Sequence, residues 1–423
     1  MLYDRLAQDL YTEICHIPII DPHSHIDPRR PAARSLDDIL GYHYYTELAH
    51  SAGMDARQLT AATEPRERVR AIVYHMASFD NTVQYQWFLE IARAFLDYQG
   101  DRLDLADCAW LCDRAEQLMA RPDWEERVLR QSNIEKVFLT SDFDDSLEGF
   151  NAERYIPCLR TDDLVFRLDQ AEVRQRLARA TNVEVEDAPG LRRAVAVLFQ
   201  HFTQHGARAC AVSLPPDFSP CPVTDQDLSR ALTAKGEESA ERQQVRSHGV
   251  FWMLAEFCRD FRLPFDLMLG VNRRVYEQGV DQGQDLFDQR TSLRQYARLF
   301  NAFLGVPFCI SVLASAQNQE LVSYSWIFPN VLTSGHWWYS NVPAYIEADL
   351  RARLQAVPKI KQIGYYSDMY KLEFGLPKFN MYRRTLAQVL ANDYIRPRIY
   401  TEAQAVELAR LLLRDNARHI FNV

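Results

Sequence analysis

Short apolar runs of β type recur along the chain, and a helical pattern follows most of them. The first, at residues 17–20, leads into Asp21-Pro22-His23, and a later one, at residues 264–269, leads into Gly270. Segments with polar residues, proline or glycine also follow the other runs, at residues 136–140, 155–159, 208–213, 307–313, 327–332 and 360–366. Strands that alternate with helices imply a parallel sheet with covering helices. Because eight such repeats favour a closed barrel over an open sheet, the sequence predicts an α/β protein with a (β/α)8, or TIM, barrel.

The chain is longer than a plain barrel requires. It has 423 residues, whereas a (β/α)8 barrel needs roughly 250. The excess lies between the first and second strands, where a helical pattern begins at a capping signal, Ser35 and Asp38. We therefore expect one barrel domain over residues 1–423, with a helical insertion at residues 30–130 in the first strand-to-helix loop. Such an insertion lies over the carboxyl ends of the strands, where barrel enzymes keep their active sites.

Composition and charge limit the kinds of molecule that the protein is expected to bind and the compartment in which it is expected to lie. The net charge is -9, from 57 acidic and 48 basic residues, whereas a general nucleic-acid binder normally carries a basic face. The sequence shows neither a signal peptide nor an apolar stretch of the ~20 residues that a membrane helix needs. The 8 cysteines are scattered, as expected for buried thiols in a reducing compartment. We expect a cytoplasmic protein without nucleic-acid or membrane partners, and a homo-oligomer is an open alternative.

The motif after the first strand predicts a metal site. His23 and His25 are two residues apart, so on an extended segment both imidazoles point to the same side. Imidazole nitrogen is a standard ligand for zinc, manganese or iron. Asp368 follows the last strand, which lies beside the first once the barrel closes, and its carboxylate can complete a three-ligand site. Surface histidines and a helix-capping aspartate are the structural alternatives, but the position at barrel strand ends favours metal.

Four further residues have side chains suited to binding a substrate. Arg160 follows the third strand and Arg273 the fifth, and guanidinium groups bind carboxylates with two parallel hydrogen bonds. Asp266 interrupts the apolar fifth strand, so it needs a buried partner or a function. Trp338 follows the seventh strand and can form the wall of a sugar pocket. Ion pairs for the three charged residues and simple packing for Trp338 are the structural alternatives.

The Asp-Pro-His-Ser-His start, together with these strands, resembles the amidohydrolase superfamily. Within it, the chain is similar over nearly its whole length to the uronate isomerases, the glucuronate and galacturonate isomerase family. The family's His-Tyr pair in the helical insertion is matched by His43 and Tyr44. Other segments that resemble family motifs are residues 140–148, 157–162, 334–338, 367–368 and 382–384.

The resemblance implies a metal-dependent aldose–ketose isomerase that acts on a hexuronate or a related small-molecule sugar acid. One divalent ion, zinc or manganese, would be bound by His23, His25 and Asp368. The catalytic residues that the resemblance implies are Asp368, His43 and Tyr44, with Asp368 as ligand, base or both. The residues expected to contact the sugar acid, from the resemblance or from their place at the strand ends, are Arg160, Arg273, Trp338 and Asp266.

The chain departs from the family pattern at three places. Met268 stands where the fifth strand of the family has histidine, and Ser213 begins a Ser-Leu-Pro segment where the fourth has Ser-Asp-His. The family's arginine two residues after the last-strand aspartate is replaced by Tyr370 or Lys371. A thioether cannot replace imidazole as a ligand of a hard ion. Two alternatives therefore stay open: a metal-dependent hydrolase of the superfamily that acts on a lactone or an amide, and a non-catalytic relative that binds a sugar acid.

Overall fold

The computed structural model describes residues 4–60, 62–233 and 239–423. Its centre is a set of parallel strands that follow one another along the chain. They are β1 (Ile19–Asp21), β2 (Ile134–Phe138, continued by Ser141–Asp142), β3 (Tyr155–Ile156, continued by Cys158–Arg160), β4 (Ala209–Leu214), β5 (Phe265–Leu269), β6 (Phe308–Val312), β7 (Val331–Ser334) and β8 (Gln362–Ile363). The strands β5, β6 and β7 are buried along their whole length, as expected for a parallel sheet that helices cover.

Parallel pairing runs around the whole set of strands. The first segment of β2 lies between β1 and the first segment of β3, and the second segments continue the pairing through β4, β5, β6 and β7 to β8. Beyond β8, the Asp368 N–H donates to the carbonyl of His23 over 3.1 Å, and the His25 N–H donates to the carbonyl of Met369 over 2.8 Å. These bonds join the last strand to the first, so the ring is closed and the predicted (β/α)8 barrel is confirmed.

Helices occupy the long connection between β1 and β2. They are Leu36–Leu40, His43–Ser51, Pro65–Met76, Val83–Phe95, Cys108–Met119 and Trp124–Ser132. Local sequence explains where several begin: the Glu64 side chain caps the helix whose first residue is Pro65, and Thr82 caps the next helix through its hydroxyl. Within the described residues, no helix is both long enough and apolar enough to cross a membrane.

The remaining helices surround the barrel and include the first and the last helix of the described chain. They are Arg5–Cys15, Asp162–Phe166, Ala171–Thr181, Ala188–Gln204, Asp225–Thr233, Ala240–Phe261, Ala297–Ala302, Asn318–Ile327, Pro343–Ala356, Gly375–Leu390, Glu402–Arg410 and Asn416–Phe421. Short 3-10 turns are Ala56–Leu59, Leu105–Asp107, Leu293–Tyr296, Ser315–Gln317, Trp338–Ser340, Lys359–Lys361 and Leu372–Phe374, and π turns are Ala391–Ile395 and Leu411–Asp415. An antiparallel hairpin, Val271–Asn272 with Leu286–Phe287, follows β5.

One predicted strand starts too early. The apolar run at residues 327–332 begins inside the helix Asn318–Ile327, and strand β7 starts only at Val331. Tyr324 and Phe328, which are four residues apart, stack with ring centroids 5.5 Å apart, as neighbours on one helix face do. A short apolar run fits a buried helix end as well as a buried strand, so its periodicity alone could not set this boundary.

Side chains from the strands fill the barrel interior. The floor is apolar and consists of the buried residues Ile20, Phe138, Ile156, Cys158, Ala209, Ala211, Cys309 and Ile363. Asp266 lies in register with two small members of this floor, Ala211 on β4 and Cys309 on β6. It therefore marks the level at which the interior turns polar toward the carboxyl ends of the strands.

A buried carboxyl group ties the helical insertion to the barrel. Glu373, in the turn after β8, accepts the backbone N–H of Ala33 at 2.9 and 3.1 Å on its two oxygens. It also accepts the indole N–H of Trp124 at 2.6 Å. Burial raises the pKa of Glu373 to about 7, although these donors oppose the shift. The junction is therefore sensitive to pH.

We predict that Glu373→Gln removes a pH-dependent loss of stability. A carboxyl group whose pKa rises from 4.5 to about 7 on folding holds its proton longer in the folded state. The free energy of unfolding of the wild type therefore falls as the pH rises through this window, by up to about 3 kcal/mol relative to Glu373→Gln. Urea unfolding of both proteins at about pH 5 and about pH 7.5 measures the difference. A difference that stays constant with pH would contradict the assignment.

Candidate active site

The two histidines that follow β1 face the same atom of the aspartate that follows β8. His23 Nε2 lies 3.4 Å from Asp368 Oδ1, and His25 Nε2 lies 3.3 Å from the same oxygen. The imidazole rings are nearly perpendicular, with centroids 5.2 Å apart. The ligand atoms of the three residues lie within 4.8 Å of one another. The structure thus brings together the three predicted metal ligands at the carboxyl ends of the first and last strands.

The second nitrogen of each imidazole faces a group on another strand. Thr140 Oγ1, just after the first segment of β2, lies 2.9 Å from His25 Nδ1 and donates its own proton to the carbonyl of Ser24 over 3.0 Å. Because that hydroxyl has one proton to donate, His25 Nδ1 carries a hydrogen and Nε2 presents a lone pair. Asp266 Oδ2 lies 3.6 Å from His23 Nδ1. Such outer contacts orient imidazole ligands toward a metal.

Unsatisfied polar atoms show that these residues fit a divalent cation. His23 Nε2 and Asp368 Oδ1 are buried and have no hydrogen-bond partner among the described residues. Buried polar atoms are rarely left without a partner, so each such atom needs an explanation. Two imidazole nitrogens and one carboxylate oxygen are a donor set that zinc and manganese accept. The arrangement also leaves coordination positions for water or substrate.

Electrostatics sets the protonation of the cluster. Burial raises the pKa of Asp368, but the close contacts of its carboxylate with the His23 and His25 imidazoles outweigh burial and hold that pKa far below its usual range. Burial lowers the pKa of His23, yet its contacts with Asp266 and Asp368 reverse the shift and raise it to about 9. Burial dominates at His25 and lowers its pKa. At neutral pH, Asp368 is therefore a carboxylate and His25 a neutral imidazole, the forms in which both bind metal, whereas His23 is protonated and would release its proton when it binds a cation.

The backbone at Asp368 has an unusual conformation. Its φ is 52°, in the left-handed region that residues other than glycine rarely adopt. On one side, Ser367 donates from its N–H and its hydroxyl to the buried carboxyl group of Asp21, at 2.9 and 2.5 Å. On the other side, the Tyr42 hydroxyl donates to the carbonyl of Asp368 at 2.8 Å. Contacts from both sides therefore hold the ligand-bearing turn.

The helix His43–Ser51 of the insertion places two predicted catalytic side chains against the cluster. The Tyr44 hydroxyl donates to Asp368 Oδ2 over 3.3 Å. The His43 and Tyr44 ring centroids are 4.4 Å apart, and His43 Nδ1 is buried without a hydrogen-bond partner in the described part of the chain. Burial lowers the pKa of His43 to about 3 and raises the pKa of Tyr44 well above its usual value. Both groups are neutral at physiological pH.

A cavity of about 650 Å³ opens at the carboxyl ends of β3, β4 and β5, and Arg160 and Arg273 line it. Arg160 Nε lies 3.2 Å from Asp162, and Arg273 donates to Asp285 over 2.6 Å. The two arginine side chains are still 37% and 55% exposed, so each has N–H groups free to meet an anion. Burial lowers the pKa of His25, and the positive charges of His23 and Arg160 act in the same direction.

Aromatic rings form other walls of the site. Trp338 lies with its ring centroid 5.7 Å from that of His43. Tyr370 stacks on His25 with centroids 4.9 Å apart and 23° between the ring planes. Of the two residues at the position of the family's arginine, Tyr370 is therefore the one that contacts a predicted metal ligand. The other departure from the family pattern, Met268, is buried in an apolar cluster with its sulfur 4.0 Å from the Ser213 hydroxyl.

Asp266, a predicted substrate-binding residue, lies against His23 in the structure. Its Oδ2 faces His23 Nδ1 and its Oδ1 is buried without a hydrogen-bond partner among the described residues. It is absent from the described residues that line the 650 Å³ cavity. This position suits a residue that orients the His23 imidazole, and contact of Asp266 with the substrate stays a prediction.

Sequence reasoning missed several residues that support the site. They are Thr140, Tyr42, Tyr370 and Lys378. The available signals were weak: Tyr42 directly precedes His43, and Lys378 is a lone lysine among apolar residues of the helix Gly375–Leu390. Partners of this kind come from distant strands and helices, so only the assembled fold brings them together.

A second and larger cavity, about 1160 Å³, lies away from this site. Its walls come from outer helices and include Gln8, Glu90, Pro343 and Arg384. It does not lie at the carboxyl ends of the strands, where ligands of barrel enzymes bind. We therefore place the substrate in the smaller cavity.

Solved structures share this architecture. The uronate isomerase of Thermotoga maritima has a TM-score of 0.90 and 19% sequence identity over 99% of this chain and 98% of that chain. The glucuronate isomerase of Caulobacter crescentus has a TM-score of 0.89 and 19% identity over 100% of this chain and 97% of its own. At such low identity, the likeness establishes the fold.

Sequence comparison establishes the family. A curated uronate isomerase of Corynebacterium efficiens is 24% identical to this protein, over 99% of this chain and 96% of the relative. The sequence pattern of the glucuronate isomerase family matches residues 1–421, almost the whole chain. The resemblance seen in the metal motif and in the His-Tyr pair is thereby confirmed, and the chain belongs to the glucuronate isomerase family.

Proposed function

We propose that this chain is an aldose–ketose isomerase that interconverts a hexuronate, or a closely related sugar acid, and its keto form. One observation carries the proposal: a three-ligand metal cluster lies directly beside two neutral proton carriers, His43 and Tyr44. Membership of the glucuronate isomerase family supports the reaction class.

His23, His25 and Asp368 are assigned as the ligands of one divalent ion, zinc or manganese. When bound, such an ion supplies positive charge that stabilises an oxyanion on the sugar. Thr140 and Asp266 fix the two imidazoles from behind, so that both Nε2 atoms stay directed at Asp368 Oδ1. The ligands are therefore preorganised by contacts from β2 and β5.

The reaction moves one proton between two carbons and another between two oxygens. A base takes the proton from C2 of the open-chain aldose, and the carbonyl oxygen on C1 gains a proton to give an enediol. The proton is then returned to C1, while the hydroxyl on C2 gives up its proton to become the ketone. Bonds to hydrogen are exchanged within one molecule, so no oxidant or reductant is consumed.

Three residues are placed to move these protons. Asp368 Oδ2 is assigned as the base at carbon, because Oδ1 faces the two imidazoles whereas Oδ2 faces the Tyr44 hydroxyl of the insertion. Tyr44, which donates to that same Oδ2, and His43, a neutral imidazole, are assigned to the transfer between the two oxygens. A neutral imidazole suits this role because it can accept one proton and donate another.

Two arginines are assigned to the substrate carboxylate. Arg160 and Arg273 line the same cavity, and each keeps N–H groups free beyond its contact with one aspartate. A guanidinium group holds a carboxylate through two parallel hydrogen bonds, which fixes both position and orientation. Trp338 is assigned to the sugar face of the pocket, next to His43.

The helical insertion belongs to the same functional unit in this proposal. His43 and Tyr44 come from the insertion at residues 30–130 yet contact barrel groups, so we treat residues 1–423 as one domain. The cysteines of the described residues are free thiols, which is compatible with the predicted cytoplasmic location.

Hydrolysis of a lactone or amide is the rival reaction. It would use the same three ligands, with Asp368 accepting a proton from water. The replacement of the family's strand-five histidine by Met268 is the observation in its favour. The experiment that follows separates the two reactions, because only the isomerase exchanges a carbon-bound proton with solvent.

We expect the zinc- or manganese-loaded protein to convert D-glucuronate or D-galacturonate into the ketose in heavy water. Deuterium should enter at the carbon next to the carbonyl, because the base exchanges its proton with solvent before returning it. Proton NMR measures both effects, and His23→Ala, which lacks one ligand, should lose them. A metal-loaded wild type that shows neither conversion nor exchange would overturn the proposed reaction.

Arg160→Met should raise the KM for the hexuronate by about 10- to 100-fold, because a charge-assisted hydrogen bond contributes about 1.5–3 kcal/mol. The change in kcat should be smaller. The matched control is Arg167→Met, since Arg167 lines the same cavity but is 63% exposed and pairs with Asp163. Equal KM values for wild type and Arg160→Met, from steady-state kinetics, would remove Arg160 from the carboxylate site.

Tyr44→Phe should lower kcat by about 10²- to 10⁴-fold, the range over which a positioned proton donor acts. The affinity for zinc should change little, because the Tyr44 hydroxyl contacts Asp368 Oδ2 and not the ligand oxygen Oδ1. Steady-state kinetics and isothermal titration with zinc measure the two quantities. A large loss of zinc affinity with unchanged kcat would assign Tyr44 to ligand support instead.

A further inference from the structure

Lys378 is a fully buried lysine in a cage of aromatic rings. It lies near the start of the helix Gly375–Leu390 and has no exposed surface. Its ammonium nitrogen is 5.1 Å from the ring centroid of Tyr42 and 4.9 Å from those of Tyr44 and Trp87. Phe374 closes the cage at 6.0 Å. Rings presented to a cation at these distances attract it, which offsets part of the unfavourable free energy of burial.

The hydrogen bonds of the Lys378 ammonium group support the turn that carries Asp368. Lys378 Nζ donates to the carbonyl of Ser367 over 2.8 Å and to the Tyr42 hydroxyl over 3.1 Å. That hydroxyl in turn donates to the carbonyl of Asp368 over 2.8 Å. Lys378 thus holds two successive carbonyls, the first directly and the second through Tyr42.

A purely structural lysine at such a depth would be expected to face a carboxylate. Burial lowers the pKa of Lys378 to about 8, although the charges of Asp368 and Asp21 oppose the shift. Within the described residues, no carboxylate oxygen lies at ion-pair distance from Lys378. Desolvation of an ammonium group is strongly unfavourable unless it gains specific contacts. Its hydrogen bonds are with the Ser367 carbonyl and the Tyr42 hydroxyl, and its charge faces the rings of the cage.

The conformation of that turn explains why a donor is needed there. Asp368 is in the left-handed region, with φ 52°, which is unfavourable by about 1–3 kcal/mol for a residue other than glycine. The turn persists only where surrounding contacts fix it. Asp21 holds the Ser367 N–H and hydroxyl on the barrel side, and Lys378 and Tyr42 hold the two carbonyls on the insertion side.

We propose that Lys378 is a positioning residue that, with Tyr42, locks the left-handed turn at Asp368 and so aims the Asp368 carboxylate at His23 and His25. It acts through the backbone of residues 367 and 368 and touches neither substrate nor metal. The inference rests on the proposed metal site where it is tested by zinc binding. Where it is tested by the position of Asp368 in a crystal structure, it rests on the geometry of the turn alone.

The central experiment compares Lys378→Met with Lys361→Met. Methionine keeps the unbranched shape of lysine and suits an aromatic cage, but it removes the donors. Lys361 is a matched control, because its Nζ likewise makes two hydrogen bonds, to the backbone carbonyls of Ser325 and Phe328 at 2.5 and 2.6 Å. It directly precedes β8 at the opposite end of the barrel from Asp368.

Two readouts apply to both variants: the zinc dissociation constant from isothermal titration, and a crystal structure of the metal-free protein. Lys378→Met should weaken zinc binding by about 10- to 100-fold, as loss of outer contacts to metal ligands does. Its crystal structure should show Asp368 out of the left-handed region. Lys361→Met should lose stability to heat but keep the wild-type zinc affinity and the wild-type turn.

Tyr42→Phe provides a second variant that removes only one hydroxyl, and it keeps the test decisive if Lys378→Met does not fold. It should weaken zinc binding in the same direction, and the double variant should be no weaker than Lys378→Met alone, because the two groups act through one turn. Zinc affinity within twofold of wild type together with an unmoved Asp368 would overturn the inference. If the wild type itself binds no zinc, the metal assignment fails, and the position of Asp368 in the variant structure still decides the role of Lys378.

Discussion

The contact between the buried carboxyl group of Asp21 and residue Ser367 organises both the fold and the site. The Asp21 carboxyl group takes the N–H and the hydroxyl of Ser367, and so it joins the end of β1 to the end of β8. Burial raises the pKa of Asp21 to about 6, although the donors from Ser367 oppose the shift. The same contact positions two predicted metal ligands, because His23 is two residues after Asp21 and Asp368 directly follows Ser367. The contact that closes the barrel therefore also brings the predicted metal ligands close together.

The barrel and the insertion contribute different kinds of side chain. Strand ends supply the charged or ligating groups, His23, His25, Asp368 and Arg160. The insertion supplies neutral aromatic groups from one short helix, and their burial keeps them neutral. A reaction that moves protons between adjacent atoms needs both: fixed charges to hold an anionic sugar and uncharged carriers that can give and take protons.

Sequence alone could predict the parts of this site that obey short-range geometry. Two histidines at a spacing of two residues must point to one side of an extended segment, and barrel closure must bring Asp368 beside them. It could not predict Thr140 or Lys378 as partners, because their contacts depend on the heights and tilts of distant elements. The start of β7 was placed too early, since an apolar helix end and an apolar strand look alike in a short window. Asp266 illustrates an intermediate case, because its burial was foreseeable but its contact with His23 was not.

Asp21 and Ser367 lie far apart along the chain, and this separation bears on how the protein is made and kept in a cell. Asp21 and Ser367 are 346 residues apart in sequence, so the ligand set does not exist until the ribosome has released almost the entire polypeptide. An ion held by the proposed ligands His23, His25 and Asp368 would bridge the first and last strands of the barrel, and it would favour chains long enough to supply both. Because a ligand that binds only the native state adds to its stability in proportion to the logarithm of ligand concentration, the cellular supply of that ion would govern how long the finished protein survives as well as how fast it works.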